Sequence, residues 1–147
     1  MDDVWKLLTL LIACGVAYVA YQQYRLGRAK FKLDLFEKRF AVFDATRNLL
    51  GAMVSDGPGE LEKVYEFRLA VADAPFLFCS DVTDYLDEID NRAVDFWQVI
   101  KRMKAPSNDS HRDSLIEREA DAQKWFKDQL IELKGKFGPY LDLRTWR

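Results

Sequence analysis

The chain is poor in the residues that most chemistry requires. It has one histidine and two cysteines in 147 residues. The histidine, His111, stands alone. A bundle di-iron site needs a Glu-x-x-His on each of two helices, and here Asn108 sits three before the only histidine. A histidine-rich zinc site is excluded for want of ligands. Ser110 precedes His111, but adjacency in sequence is not a nucleophile–base pair. His111 reads as a surface residue in the first turn of a helix. Cys14 and Cys79 have no metal-site spacing, and both read as reduced thiols, consistent with a cytoplasmic domain. The glycines of Gly57-Pro58-Gly59 and Gly135-Lys136-Phe137-Gly138 lack a phosphate-loop pattern and a preceding strand. Charge of one sign is lacking too: the net charge is −2, which gives no global attraction to nucleic acid. Strand alternation, internal repeats and low-complexity stretches are absent. Hydrophobic residues at 49% and charged residues at 31% argue against disorder.

What the chain does have is one long apolar run, Leu7 through Tyr21, LLTLLIACGVAYVAY. Trp5 to Tyr24 as a helix spans roughly 28 Å, close to the ~30 Å hydrocarbon core of a bilayer. Trp5 at one end, and Tyr21 and Tyr24 at the other, are placed for the two interfaces. Lys6 can snorkel outward. After the run come Arg25, Arg28, Lys30 and Lys32 before any acid, whereas Asp2 and Asp3 precede it. The positive-inside rule therefore places the N-terminus outside and the rest of the chain in the cytoplasm. The basic cluster sets topology and meets anionic headgroups.

Two rival readings of the run are weaker. A cleaved secretory signal wants a basic start, and this one begins with two aspartates. Leu11-Ile12-Ala13-Cys14 resembles a bacterial lipobox, but GVAYVAY and a basic cluster follow it instead of a polar tether. Ala13, Ala17 and Ala20 share a helix face that would let helices approach closely; ordinary alanine usage explains them as well.

Beyond the anchor, residues 1–25, the remaining ~120 residues make one domain, 26–147. Its apolar pattern is helical throughout. Leu33, Phe36, Phe40, Phe43, Leu50 and Val54 form the first stripe, with Arg47 in the gap. No proline interrupts Val4 to Val54, so the anchor is expected to continue into this helix. Ser55-Asp56-Gly57-Pro58-Gly59 breaks it. A shorter helix follows from Glu60 to about Ala74, with Leu61, Val64, Phe67 and Val71 inward and Pro75 as its stop. Phe76-Leu77-Phe78 is expected to fill a hydrophobic corner.

The third helix is capped by Ser80 or Asp81 and buries Val82, Leu86, Ile89, Ala93, Phe96, Ile100 and Met103. Its acids Asp84, Asp87 and Glu88, and its closing Lys101, Arg102 and Lys104, match the helix dipole. The fourth runs from about His111 to Phe137 on Leu115, Ala122, Phe126, Leu130, Leu133 and Phe137, and Gly138-Pro139 is expected to stop it. The fold expected is all-α: an N-terminal transmembrane helix leading into an antiparallel bundle of about four helices.

Some polar residues need an account. Asp81, Asp84, Glu88, Asn91 and Asp95 make an acidic stripe that reads as a solvated face, not a cation site. Arg47 and Arg68 border apolar faces; each either snorkels or pairs with a carboxylate, Glu66, Asp73 and the third-helix acids being candidates. The tail carries Tyr140, Leu141, Leu143 and Trp146, which is too apolar for a free end. It either covers the core or docks on a partner.

Three phrases carry a resemblance: Lys32-Leu33-Asp34-Leu35-Phe36-Glu37-Lys38-Arg39-Phe40, Val42-Phe43-Asp44-Ala45-Thr46-Arg47 and Phe137-Gly138-Pro139-Tyr140-Leu141-Asp142-Leu143. With the anchor, they resemble uncharacterised bacterial single-pass inner-membrane proteins with a helical cytoplasmic domain. The resemblance implies topology and bacterial origin and no activity. The function expected is a non-catalytic, membrane-anchored interaction or scaffold protein, a subunit or accessory of a membrane-associated assembly. It would meet the bilayer and protein partners, a second copy among them, and use no cofactor and no nucleic acid. The alternative is a membrane-active effector that oligomerises through its anchor helix.

Overall fold

A computed structural model describes residues 2–55, 61–104 and 109–142. All the described elements are helical: α1 (Asp2–Ser55), α2 (Glu62–Val71), α3 (Ala74–Leu77), α4 (Ser80–Met103) and α5 (Asp109–Leu141). The chain divides into two compact units, Met1–Phe36 and Glu37–Arg147, and α1 contributes to both.

In the first unit, every described side chain from residue 3 to 21 is exposed. The polar side chains there find partners on the same helix. Thr9 donates its hydroxyl to the Trp5 carbonyl at 2.8 Å, and Gln22 donates to the Tyr18 hydroxyl at 2.9 Å. Lys6 lies 3.6 Å from Asp3. The helix therefore shows an apolar surface on all sides with few unmet polar groups.

The second unit is a helical bundle. Its central helix is α4, which packs against α2, α3 and α5. Val82, Tyr85, Leu86, Ile89, Ala93, Phe96 and Val99 form the buried face of α4. The stripe expected on α4 is seen through Phe96, while Ile100 and Met103 are half-buried. Phe96 meets Phe126 of α5, with ring centroids 5.6 Å apart. Phe137, also fully buried, takes Phe43 of α1 and Phe78 edge-on at 5.6 and 5.3 Å. Tyr85 donates to the Gln129 carbonyl at 3.3 Å, and burial pushes its phenol up to about 12, with Glu132 and Glu88 adding to the shift.

The face of α1 differs from the expected stripe. Val42, Thr46, Leu49, Leu50 and Met53 are buried, whereas Leu33 and Phe40 are 53% and 43% exposed. Thr46 makes this possible: its hydroxyl donates to the Val42 carbonyl at 2.7 Å, so a polar residue enters the core with its donor satisfied. Pairing the largest apolar residues at 3-4 spacing turned the expected face away from Thr46.

Three boundaries also differ. Helix α2 ends at Val71, and Pro75 lies in the first turn of α3, where its missing N–H costs nothing. The hydrophobic corner is only partly filled: Ala74 and Phe78 are buried, but Phe76 is 88% exposed. The residue capping α4 is Cys79, in extended conformation, without a side-chain hydrogen bond; Ser80 and Asp81 fall inside the helix. Finally, α5 continues through Gly138-Pro139 to Leu141. A proline crowds the backbone N–H and the Cβ of the residue before it, and Gly138 has no Cβ to crowd. The Asp142 amide donates to the Gly138 carbonyl at 3.1 Å and closes the last turn.

Candidate functional site

The residues expected at a membrane interface all lie on α1 within the first unit. Trp5, Tyr21 and Tyr24 are exposed at the two ends of the apolar run. Arg25, Arg28 and Lys30 are exposed, and Lys32 is half-buried. The exposed ones face outward because nothing else in the first unit can cover a single helix. Arg28 folds back over Tyr24, its Cζ 5.7 Å from the ring centroid. That contact holds the guanidinium near the apolar segment.

A second cluster joins four helices of the bundle. Arg39 of α1 donates from Nε to the Leu77 carbonyl at 2.9 Å and from Nη1 to the Tyr140 carbonyl at 3.3 Å. Its Cζ also lies 5.8 Å from the Phe78 centroid and 5.5 Å from that of Tyr140. Tyr140 stacks edge-on against Phe78 at 5.3 Å and donates its hydroxyl to Asp81 Oδ1 at 2.7 Å. The hydrogen bond to Asp81, followed by one to Cys79, raises the Tyr140 phenol well above its ordinary range. One guanidinium thus satisfies carbonyls at the ends of α3 and α5, and Tyr140 ties the same point to the start of α4.

Tyr140 and Leu141 are half-buried and pack against the core. Leu143 and Trp146 lie outside the described residues. Arg39 was not singled out by sequence reasoning. Its carbonyl partners are 38 and 101 positions away, so no local pattern marks it. Because guanidinium bonds to carbonyls are charge-assisted, Arg39→Ala should cost about 2 kcal/mol and lower the melting temperature by several degrees. Arg39→Lys should recover only part of that loss. An unchanged melting curve for the alanine variant would show the junction to be energetically idle.

The remaining polar candidates fall on the surface. Arg47 pairs with Asp44 at 2.6 Å, and Arg68 reaches Asp90 of α4 at 2.7 Å. All five members of the acidic stripe, Asp81 to Asp95, are exposed, and Glu88 pairs with Arg92 at 3.1 Å. The side chain of His111 lies outside the described residues. Cys14 and Cys79 are both free thiols on the surface. Among the described residues no group of three or more His, Cys, Asp or Glu is placed to hold a metal. A cleft of about 270 Å³ opens between α4 and α5, where Arg92 lies 4.3 Å above the Trp125 ring beside Asp95, Arg118 and Asp121. Its mixed charges could take polar groups, but no buried side-chain polar atom among the described residues lacks a partner.

No protein-family model, no curated protein sequence and no solved structure matches this chain.

Proposed function

We propose that the chain is a single-pass bacterial inner-membrane protein whose helical bundle lies in the cytoplasm. There it serves as a non-catalytic interaction subunit of a membrane-associated assembly. The observation that carries this reading is the N-terminal part of α1. It has an 18-residue window of mean hydropathy 1.8, none of it buried against protein. So much apolar surface on one helix costs heavily in water and nothing in hydrocarbon, where the helix satisfies its own backbone. The basic cluster after Tyr24 and the acids before Trp5 orient it.

The interaction role draws on the bundle surface. Leu69 and Phe76, on α2 and α3, are 80% and 88% exposed, and Tyr65 is 54% exposed nearby in sequence. Ile116 and Ile131 of α5 are exposed as well, at 48% and 74%, so the reading rests on the aromatic character of Tyr65 and Phe76, a residue type enriched where proteins meet.

A reporter fused after Arg147 tests the topology. A reporter active only in the cytoplasm is expected to work, and one active only in the periplasm is not. The reverse result would overturn the orientation. For the interaction role, a photo-crosslinker at position 76 should capture a discrete protein in intact membranes, and one at exposed Asp113 should not. Equal or absent capture at both positions would count against this surface as the contact.

A further inference from the structure

The cations that follow the apolar run are arranged unevenly around α1. At about 100° per residue, Arg25, Arg28 and Lys32 fall within about 60° of arc, with Tyr21 inside it and Tyr24 about 40° outside it on the Arg28 side. Lys30 lies roughly 140° from Arg25. Residues three apart on a helix are neighbours, with Cβ atoms about 5–6 Å apart. A single phosphate can therefore accept from Arg25 and Arg28 together.

The direction of the helix favours this. Cα–Cβ bonds tilt toward a helix N-terminus, which here is toward the apolar run. Side chains at 25 and 28 lean back toward the plane where that run ends. Along the axis, Arg25 lies about 6 Å and Arg28 about 10 Å beyond Tyr21. The headgroup region of one leaflet is about 5–8 Å deep, so both guanidinium groups reach it. Arg28 is held on that side by its contact with Tyr24 at 5.7 Å. No acid occurs between Lys6 and Asp34 to compete within the segment.

We infer that Arg25 and Arg28 form a clamp for the phosphate of an anionic phospholipid in the leaflet by which α1 leaves the membrane. This rests on the membrane-anchor reading. The guanidinium fork matches a phosphate with two parallel N–H···O bonds. An anionic headgroup is selected over a zwitterionic one because the latter carries its own cation.

The full-length chain, purified in detergent, can be titrated with phosphatidylglycerol and with phosphatidylcholine of the same acyl chains and followed by native mass spectrometry. Wild type should retain phosphatidylglycerol preferentially. Each cation near a surface is worth about fivefold, so Arg25→Gln with Arg28→Gln should weaken phosphatidylglycerol binding about 30-fold. Lys30→Gln should change it less than about fivefold. Equal binding of the two lipids by wild type would overturn the clamp. So would a Lys30→Gln loss as large as that of the double variant, since that means diffuse charge. Displacement by soluble glycerol phosphate as effective as by the lipid would identify a free phosphate as the ligand instead. Carbonate extraction of native membranes separates the two readings. Wild type resisting extraction without lipid preference defeats the clamp alone, whereas its release defeats the anchor.

Discussion

A chain carrying Leu11→Arg and Val16→Arg is expected to leave the membrane fraction. Leu11 and Val16 are 63% and 64% exposed on α1, near the middle of the apolar run. Five positions separate them, roughly 140° around the helix, so no single neighbour could shelter both charges. An arginine at the centre of a spanning helix costs about 2.5–3.5 kcal/mol on insertion scales, and two cost about 6. That is enough to reverse insertion of a run interrupted by nothing more polar than Thr9. The control is Leu11→Ala with Val16→Ala, which should stay in the membrane. The measurement is the share of protein in a carbonate-washed pellet. A double-arginine chain that pellets as wild type does would remove the spanning helix from the account. The bundle should fold in either variant, because the core is drawn from residues 42–137.

Phe137→Ala is expected to be the most damaging single change in the bundle. Phe137 is fully buried, and its ring is held edge-on by Phe43 from α1 and Phe78 at the end of α3. Truncation removes the ring's burial, leaves a cavity among three elements, and ends two aromatic contacts. Such changes cost about 3–5 kcal/mol. In a domain of about 110 residues each kcal/mol lowers the melting temperature by about 4–8 °C, so a fall of at least about 12 °C should follow. Phe76→Ala, at an 88% exposed position, should shift it by no more than a few degrees. Thermal unfolding followed by circular dichroism in detergent reads both. Comparable shifts for the two variants would mean that the packing around Phe137 does not govern stability.

The contrast between Phe137 and Phe76 shows where pattern reading works. Phe137 recurs with Leu133, Leu130 and Phe126 at helical spacing on a long amphipathic segment, so its burial is implied locally. Phe76 sits in a four-residue helix, too short for a period to exist. There only the path of the chain decides which of Phe76, Leu77 and Phe78 turns inward. A related failure occurs at Gly138-Pro139. Each residue is a helix breaker on average, but in this order the glycine removes the Cβ that the proline would disfavour.

The apolar run, its aromatic ends, the basic cluster and the all-helical character were determined by the sequence alone. Each depends on composition or on neighbours within a few turns of helix, and α4 could be read the same way. Tertiary structure decided which face of α1 is buried, because a threonine with an internal hydrogen bond competes there with larger apolar residues. It also decided the role of Arg39. A cation on a helix surface is locally indistinguishable from any other. Only the folded bundle delivers carbonyls from residues 77 and 140 to one guanidinium, and hydrogen bonds to unpaired helix-end carbonyls depend on that delivery, not on spacing in the chain.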